Sequence, residues 1–189
     1  MSAEMTEWQK KKLSALFDLF DSDGDQSIDE TELEDSMERL QIETGWPESS
    51  RVLSHVTARW KGFLQNLFAQ TPYLTEQKWL DLISRYLAKD RQSRSANPAH
   101  RGGLEEFAQL LFLLLDRDRN SMIDLKEYQM FFYALGLDSL QAEECFEKLD
   151  TDEDGFLKKT EFEDMTLEFF HGAKSGSHGD WLFGTPPAS

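Results

Sequence analysis

The chain has 189 residues, with 36 Asp and Glu against 20 Lys and Arg, and a formal net charge of −16. That imbalance repels nucleic-acid phosphates and anionic lipid and attracts cations, which excludes nucleic acid as a partner. A hydrophobic content of 39%, with 14 Phe and 5 Trp, supplies the apolar surface of a folded core, so the acidity is not that of a disordered chain. Cys145 is the one cysteine, which leaves no internal disulfide, zinc cluster or CxxC motif and fits a reducing compartment. The start lacks the apolar run of a secretory signal, and the run from Leu110 to Leu115 is too short to span a bilayer. Ser2 and the terminal Pro-Pro-Ala-Ser carry no lipidation signal. The expectation is a cytoplasmic protein with no membrane anchor.

In chain order, apolar residues recur at helical spacing on both sides of short polar stretches. Leu13, Leu16, Phe17 and Phe20 precede the first stretch, and Leu33, Met37 and Leu40 follow it. Val52, Val56, Trp60, Phe63, Leu64 and Leu67 lead to Trp79, Ile83, Tyr86 and Leu87, with Pro47 near the start of the incoming helix. Phe107, Leu110, Leu111 and Leu114 precede the third stretch, and Tyr128, Phe131, Phe132 and Leu135 follow it. Ala142, Cys145, Phe146 and Leu149, then Phe162, Met165 and Phe169, flank the fourth. Gly136 reads as a helix stop, with Asp138 or Ser139 capping the next helix. The chain divides into a first helix-loop-helix pair at 1–92, a polar, locally basic linker at 93–103 containing Pro98, a second pair at 104–170, and a tail at 171–189. Trp181, Leu182 and Phe183 in that tail form an aromatic cluster expected to dock on the core.

The polar stretches fit a twelve-residue loop that wraps one calcium ion, with oxygen side chains at the first, third, fifth and ninth positions. The seventh supplies a carbonyl and the twelfth a bidentate Glu. The first loop offers Asp21, Asp23, Asp25, Asp29 and Glu32, with Ser27 at the seventh position and Gln26 at the sixth, where glycine is usual. The third offers Asp116, Asp118, Asn120, Asp124 and Glu127, with Met122 at the seventh and Ser121 at the sixth. The fourth offers Asp150, Asp152, Asp154 and Glu161, with Phe156 at the seventh and Gly155 at the sixth. Lys158 holds the ninth position there, a corner expected to be filled by water. A residue other than glycine at the sixth position costs about 1 kcal/mol in a left-handed backbone, which weakens binding without abolishing it.

The second stretch, aligned on Leu74 and Trp79, has Leu67 first, Ala69 third, Thr71 fifth, Pro72 sixth, Thr75 ninth and Lys78 twelfth, and builds no cation cage. An aliphatic residue stands at the eighth position of all four, as Ile28, Leu74, Ile123 and Leu157, which suits pairing of loops through short antiparallel strands. Three ligand sets in phase, each between apolar-periodic helices, separate this reading from ordinary Asp-rich surface turns.

On these loops the chain resembles the invertebrate sarcoplasmic calcium-binding proteins and the related calexcitins, which have four EF-hands with the second degenerate. The resemblance extends to the aromatic-rich interior, the spacing around the second loop, and the ending in which Glu168-Phe169-Phe170 is followed by Gly179-Asp180-Trp181-Leu182-Phe183-Gly184. It implies an all-α EF-hand fold, with two pairs packed in one body and short loop-pairing β-ribbons. It also implies a tail inserted between the halves, three calcium sites on the residues named above, and magnesium in competition.

Three dications would bring the formal charge from −16 to about −10, which couples binding to ordering. The function expected is an intracellular Ca2+/Mg2+ buffer, a monomer or weak dimer, because loops one and three carry acids at both the ninth and twelfth positions. A calcium sensor exposing an apolar groove to a protein target is the second reading, set against a chain with only 6 Met. A coelenterazine photoprotein or luciferin-binding relative is the third; His171, Trp60, Trp79 and Tyr86 could line a cavity, but the tail lacks the Tyr-Gly segment ending in Pro. His171, His178 and Asp180 read as ordinary tail residues rather than a transition-metal site, and His171 as a cap or solvated. No phosphate loop, nucleophile elbow or HExxH is present, so catalysis is not expected.

Overall fold

The computed structural model describes residues 5–47, 49–69, 71–96 and 102–188. Helices α1 (Glu7–Phe20) and α2 (Glu30–Thr44) flank the first loop, and α3 (Arg51–Phe68) and α4 (Glu76–Ala96) the second. The third lies between α5 (Gly103–Leu115) and α6 (Leu125–Ala134), the fourth between α7 (Ser139–Leu149) and α8 (Lys159–His171). A 3-10 turn at His178–Trp181 follows. This is the all-α, two-pair architecture read from the sequence.

Each pair of loops meets in an antiparallel ribbon. Strand β1 (Ser27–Asp29) pairs with β2 (Tyr73–Thr75), placing Ile28 opposite Leu74, and β3 (Met122–Ile123) pairs with β4 (Leu157–Lys158), placing Ile123 opposite Leu157. All four side chains are buried, so the eighth position is both ribbon and core. The outgoing helices α2 and α6 start from capping boxes: Asp29 accepts from the Glu32 amide while the Glu32 carboxylate accepts from the Asp29 amide, and Asp124 and Glu127 repeat the arrangement. Gly136 follows α6 at φ 73°, and Asp138 caps α7 by accepting from the Leu140 amide at 2.9 Å.

The reading of 93–103 as a linker needs correction at both ends. Helix α4 continues to Ala96 because Arg94 bonds Asp90 at 2.7 Å and Glu105 at 3.1 Å, so its last polar turn is tied by ion pairs to α5, and Gly103 already belongs to α5. Residues 97–101, with Pro98 and Arg101, lie outside the described residues. Phe63 and Tyr86, assigned to buried faces by spacing, are 48% and 37% exposed; Val56 and Leu64 fill the core side of α3, and Phe63 lies against the Trp60 ring instead. Cys145 is a buried thiol whose pKa burial pushes up to about 12. Among the described residues, no helix is long and apolar enough to cross a membrane.

The tail folds back across α7 and α8 and reaches α1. The Tyr128 hydroxyl donates to the carbonyls of Trp181 and Leu182 at 3.2 and 3.1 Å, and the Phe183 ring packs against Phe131, Phe169 and Phe170. Beneath it lies an ion pair with both side chains 1% exposed: Lys12 Nζ reaches Asp180 Oδ1 at 2.7 Å and also donates to the Phe169 carbonyl at 2.6 Å. Trp8 Nε1 and the amides of Gly176 and Ser177 complete four donors around Asp180. Burial pulls the Lys12 ammonium below its ordinary value against the pull of Asp180. Asp180 is also lowered: burial pushes it up, but the hydrogen bond and charge of Lys12 outweigh that. The two directions oppose each other for an ion pair, and the four donors around Asp180 support the charged carboxylate.

Removing one member of a buried pair leaves the other charge stranded, so Asp180→Ala should cost about 3–5 kcal/mol in urea unfolding of the metal-free protein. Because the folded pKa of Asp180 lies below its ordinary 3.8, its contribution is complete above that value. It is lost as pH falls through the lower folded value, so Asp180→Asn should flatten the pH dependence of stability in that acid range.

Candidate metal centres

The three ligand-bearing loops share one hydrogen-bond skeleton. At the sixth position the amides of Gln26, Ser121 and Gly155 donate to Asp21, Asp116 and Asp150 at 3.0, 3.1 and 2.8 Å. At the second position the amides of Ser22, Arg117 and Thr151 donate to Glu32, Glu127 and Glu161 at 2.7, 2.9 and 2.8 Å. The seventh-position amides of Ser27, Met122 and Phe156 donate to Asp25, Asn120 and Asp154. These bonds turn the carboxylates inward, and the acids crowd together. Oxygens of Asp21, Asp23 and Asp25 lie within 4.8 Å of one another, as do those of Asp116, Asp118 and Glu127, and of Asp150, Asp152 and Glu161.

Glu32 stands outside the first triad, with its two oxygens on the amides of Ser22 and Asp29. Asp29 and Asp124 each give one oxygen to a helix cap, and Asp154 contacts Lys158. In the second loop, Lys78 donates to Thr71 Oγ1 at 3.1 Å and lies over the Tyr73 ring, so an ammonium takes the position of the bidentate acid.

Several features bear on whether these loops fit a cation. Asp21 Oδ1, Asp116 Oδ1 and Glu161 Oε2, one in each loop, are buried with no hydrogen-bond partner. A buried carboxylate lone pair without a donor is costly, and a dication at the mouth of the loop supplies what it lacks. Burial also raises the pKa of Asp116 and Glu127, against the opposing backbone hydrogen bonds, so burial disfavours the negative charge of these two third-loop carboxylates. The donor set is oxygen throughout, which suits calcium or magnesium rather than a thiophilic metal.

The backbone carries the expected strain: Gln26 and Ser121 sit at φ 70° and 67°, beside Gly155 at 85°. Sequence reasoning missed a second left-handed residue, at the fourth position: Gly24 in the first loop, but Arg119 at 61° and Glu153 at 55° in the others. The glycine at position 24 was the available signal. The ninth position of the fourth loop brings its own side chain back over the ligands. Lys158 Nζ reaches Asp152 at 2.5 Å and pairs with Asp154, because its four-carbon stem spans the loop and the carboxylates attract it. The hydrogen bond to Asp152, followed by that to Asp154, raises the Lys158 pKa.

His171, His178 and Asp180 are not brought together. His171 Nε2 lies 2.9 Å from Asp90, His178 Nδ1 lies 2.7 Å from the Lys148 carbonyl, and Asp180 is on Lys12. His171 is therefore neither a cap nor solvated; it ties the end of α8 to α4, and burial, opposed by Asp90, lowers its pKa.

No family model matches the sequence. The chain is 24% identical over 170 residues to the calcium-binding protein CML19 of Arabidopsis thaliana, covering 89% of each chain. It is 26% identical over 167 residues to cell division control protein 31 of Schizosaccharomyces pombe, covering 86% of this chain and 81% of the relative. Among solved structures, calcium-loaded apo-aequorin from Aequorea victoria superposes with a TM-score of 0.69 at 18% identity, over 91% of this chain and 97% of that one. Magnesium-loaded apo-berovin, a ctenophore photoprotein, gives 0.67 at 22%, over 87% and 89%. A sarcoplasmic calcium-binding protein from amphioxus gives 0.66 at 15%, over 97% and 100%. These likenesses show the EF-hand fold.

Replacing Ser121 or Gln26 by glycine should relieve the left-handed backbone and raise stability by about 0.5–1 kcal/mol net of the added chain entropy, measured by urea unfolding. The same change at Ser27, outside the left-handed positions, should destabilise.

Proposed function

We propose that this chain, an EF-hand protein of four hands whose second loop carries no acidic ligand, is a calcium buffer that takes magnesium at the same sites. The observation that carries the reading is the unpartnered buried carboxylate oxygen in each of the three acidic loops. Loop one would hold its ion on Asp21, Asp23, Asp25, Asp29 and Glu32, with the Ser27 carbonyl. Loop three would use Asp116, Asp118, Asn120, Asp124 and Glu127, with the Met122 carbonyl. Loop four would use Asp150, Asp152, Asp154 and Glu161, with the Phe156 carbonyl. Bound calcium would replace hydrogen-bond donors that the loops lack and relieve the repulsion within each triad. The ninth-position acids of loops one and three favour ions that also include magnesium, and the magnesium-loaded photoprotein of similar fold is consistent with that.

Buffer is preferred to sensor because the second half is already closed over its interior. Leu182 is fully buried, Phe183 packs among three rings, and Lys12–Asp180 clamps the segment from below. A sensor must open such an interior to a target, and here opening would separate a buried charge pair. The photoprotein reading is disfavoured by His171, whose ring nitrogen is engaged by Asp90, and by Phe107 and Phe170 packed edge to face beside it.

The test is stoichiometry by site. Glu32→Gln, Glu127→Gln and Glu161→Gln should each remove one of about three calcium equivalents in a calorimetric titration. A dye that fluoresces on apolar surface should show no rise with calcium. A large rise would favour the sensor, and a stoichiometry insensitive to all three variants would overturn the assignment of the loops.

A further inference from the structure

Loops one and three have an aspartate at the ninth position, and both use it to cap the following helix. Loop four has Lys158 there, and α8 begins with no side-chain cap. The lysine does something else: its Nζ lies 2.5 Å from Asp152 Oδ2 and also pairs with Asp154, the third- and fifth-position ligands of the same loop. Loop four retains the rest of the apparatus, with Gly155 donating to Asp150, Thr151 donating to Glu161, and Glu161 Oε2 buried without a partner.

We propose that Lys158 is a tethered cation that competes with the metal ion for loop four and sets that site's affinity below what its ligands alone would give. The inference rests on the assignment of loop four as an ion site. An incoming dication must share Asp152 and Asp154 with the ammonium or displace it, and a displaced lysine still stands one side chain away with like charge. Ligand exchange, rather than loss of a proton, is the step: the lysine keeps its proton and leaves for solvent. The second loop carries the same device further, with Lys78 at the twelfth position donating to Thr71 where no acidic ligand remains. Among the ligand-bearing loops, only loop four pairs a complete acidic triad with an internal ammonium. Loop four is thereby held weaker than the same ligands would be without the lysine, although it has the sixth-position glycine that loops one and three lack.

The experiment is a calorimetric calcium titration of the full chain carrying Glu32→Gln and Glu127→Gln, so that loop four is read alone, with and without Lys158→Gln. The Gly155 amide resonance, which reports directly on Asp150, verifies by NMR which loop fills. Lys158→Gln should tighten binding about tenfold, the size expected on releasing two exposed ion pairs, and Lys158→Arg should leave it weak. Equal or weaker binding by Lys158→Gln overturns the inference alone. Absence of saturable calcium binding at Gly155 in both forms overturns the assignment of loop four, and the inference with it.

Discussion

Each half of the molecule hangs from the backbone ribbon at the eighth loop position. Ile28 opposite Leu74 and Ile123 opposite Leu157 fix the two loops of a pair back to back, and all four side chains are buried in the core. Capping boxes start α2 and α6 as they leave the ribbons, and the inward carboxylates are held by amides of the same loops. A loop can therefore lose its ligands and keep its place: the second supplies β2 and Leu74 although Lys78 stands where a glutamate would chelate.

The halves are joined by contacts of a different kind. Trp46 Nε1 donates to the Leu114 carbonyl at 2.8 Å, Arg39 Nε donates to the Ala134 carbonyl at 3.1 Å, and His171 meets Asp90. Arg119, in the third loop, lies over the Trp46 ring. Each contact gives a polar group of one half to a backbone, ring or carboxylate of the other. The Lys12–Asp180 pair is the most buried of them and binds the tail to the first helix. These links tie the two halves and the tail together through buried and half-buried polar contacts.

Much of this was legible in the sequence because loop ligands are fixed by position rather than by tertiary context. Asp21, Asp116 and Asp150 could be placed by counting, and so could the buried eighth residues. The dead second loop was legible for the same reason. What escaped depends on long-range partners. Lys12 shares a helical face with Trp8 and Leu16, which was a signal, but its partner Asp180 is far along the chain. Lys158 could be placed by counting, but its contacts with Asp152 and Asp154 could not, since counting positions does not say where a long flexible side chain will reach. The continuation of α4 to Ala96 was hidden by a polar composition that reads as linker until Arg94 is seen bonded to Asp90 and Glu105.

The central claim is that three loops bind calcium at sites that magnesium also enters. Calorimetric titration of the metal-free protein with calcium, run without and with magnesium at about millimolar concentration, tests it most directly. The account predicts about three equivalents whose apparent affinity drops when magnesium is present. About three equivalents indifferent to magnesium, or fewer than about two equivalents under either condition, would contradict it.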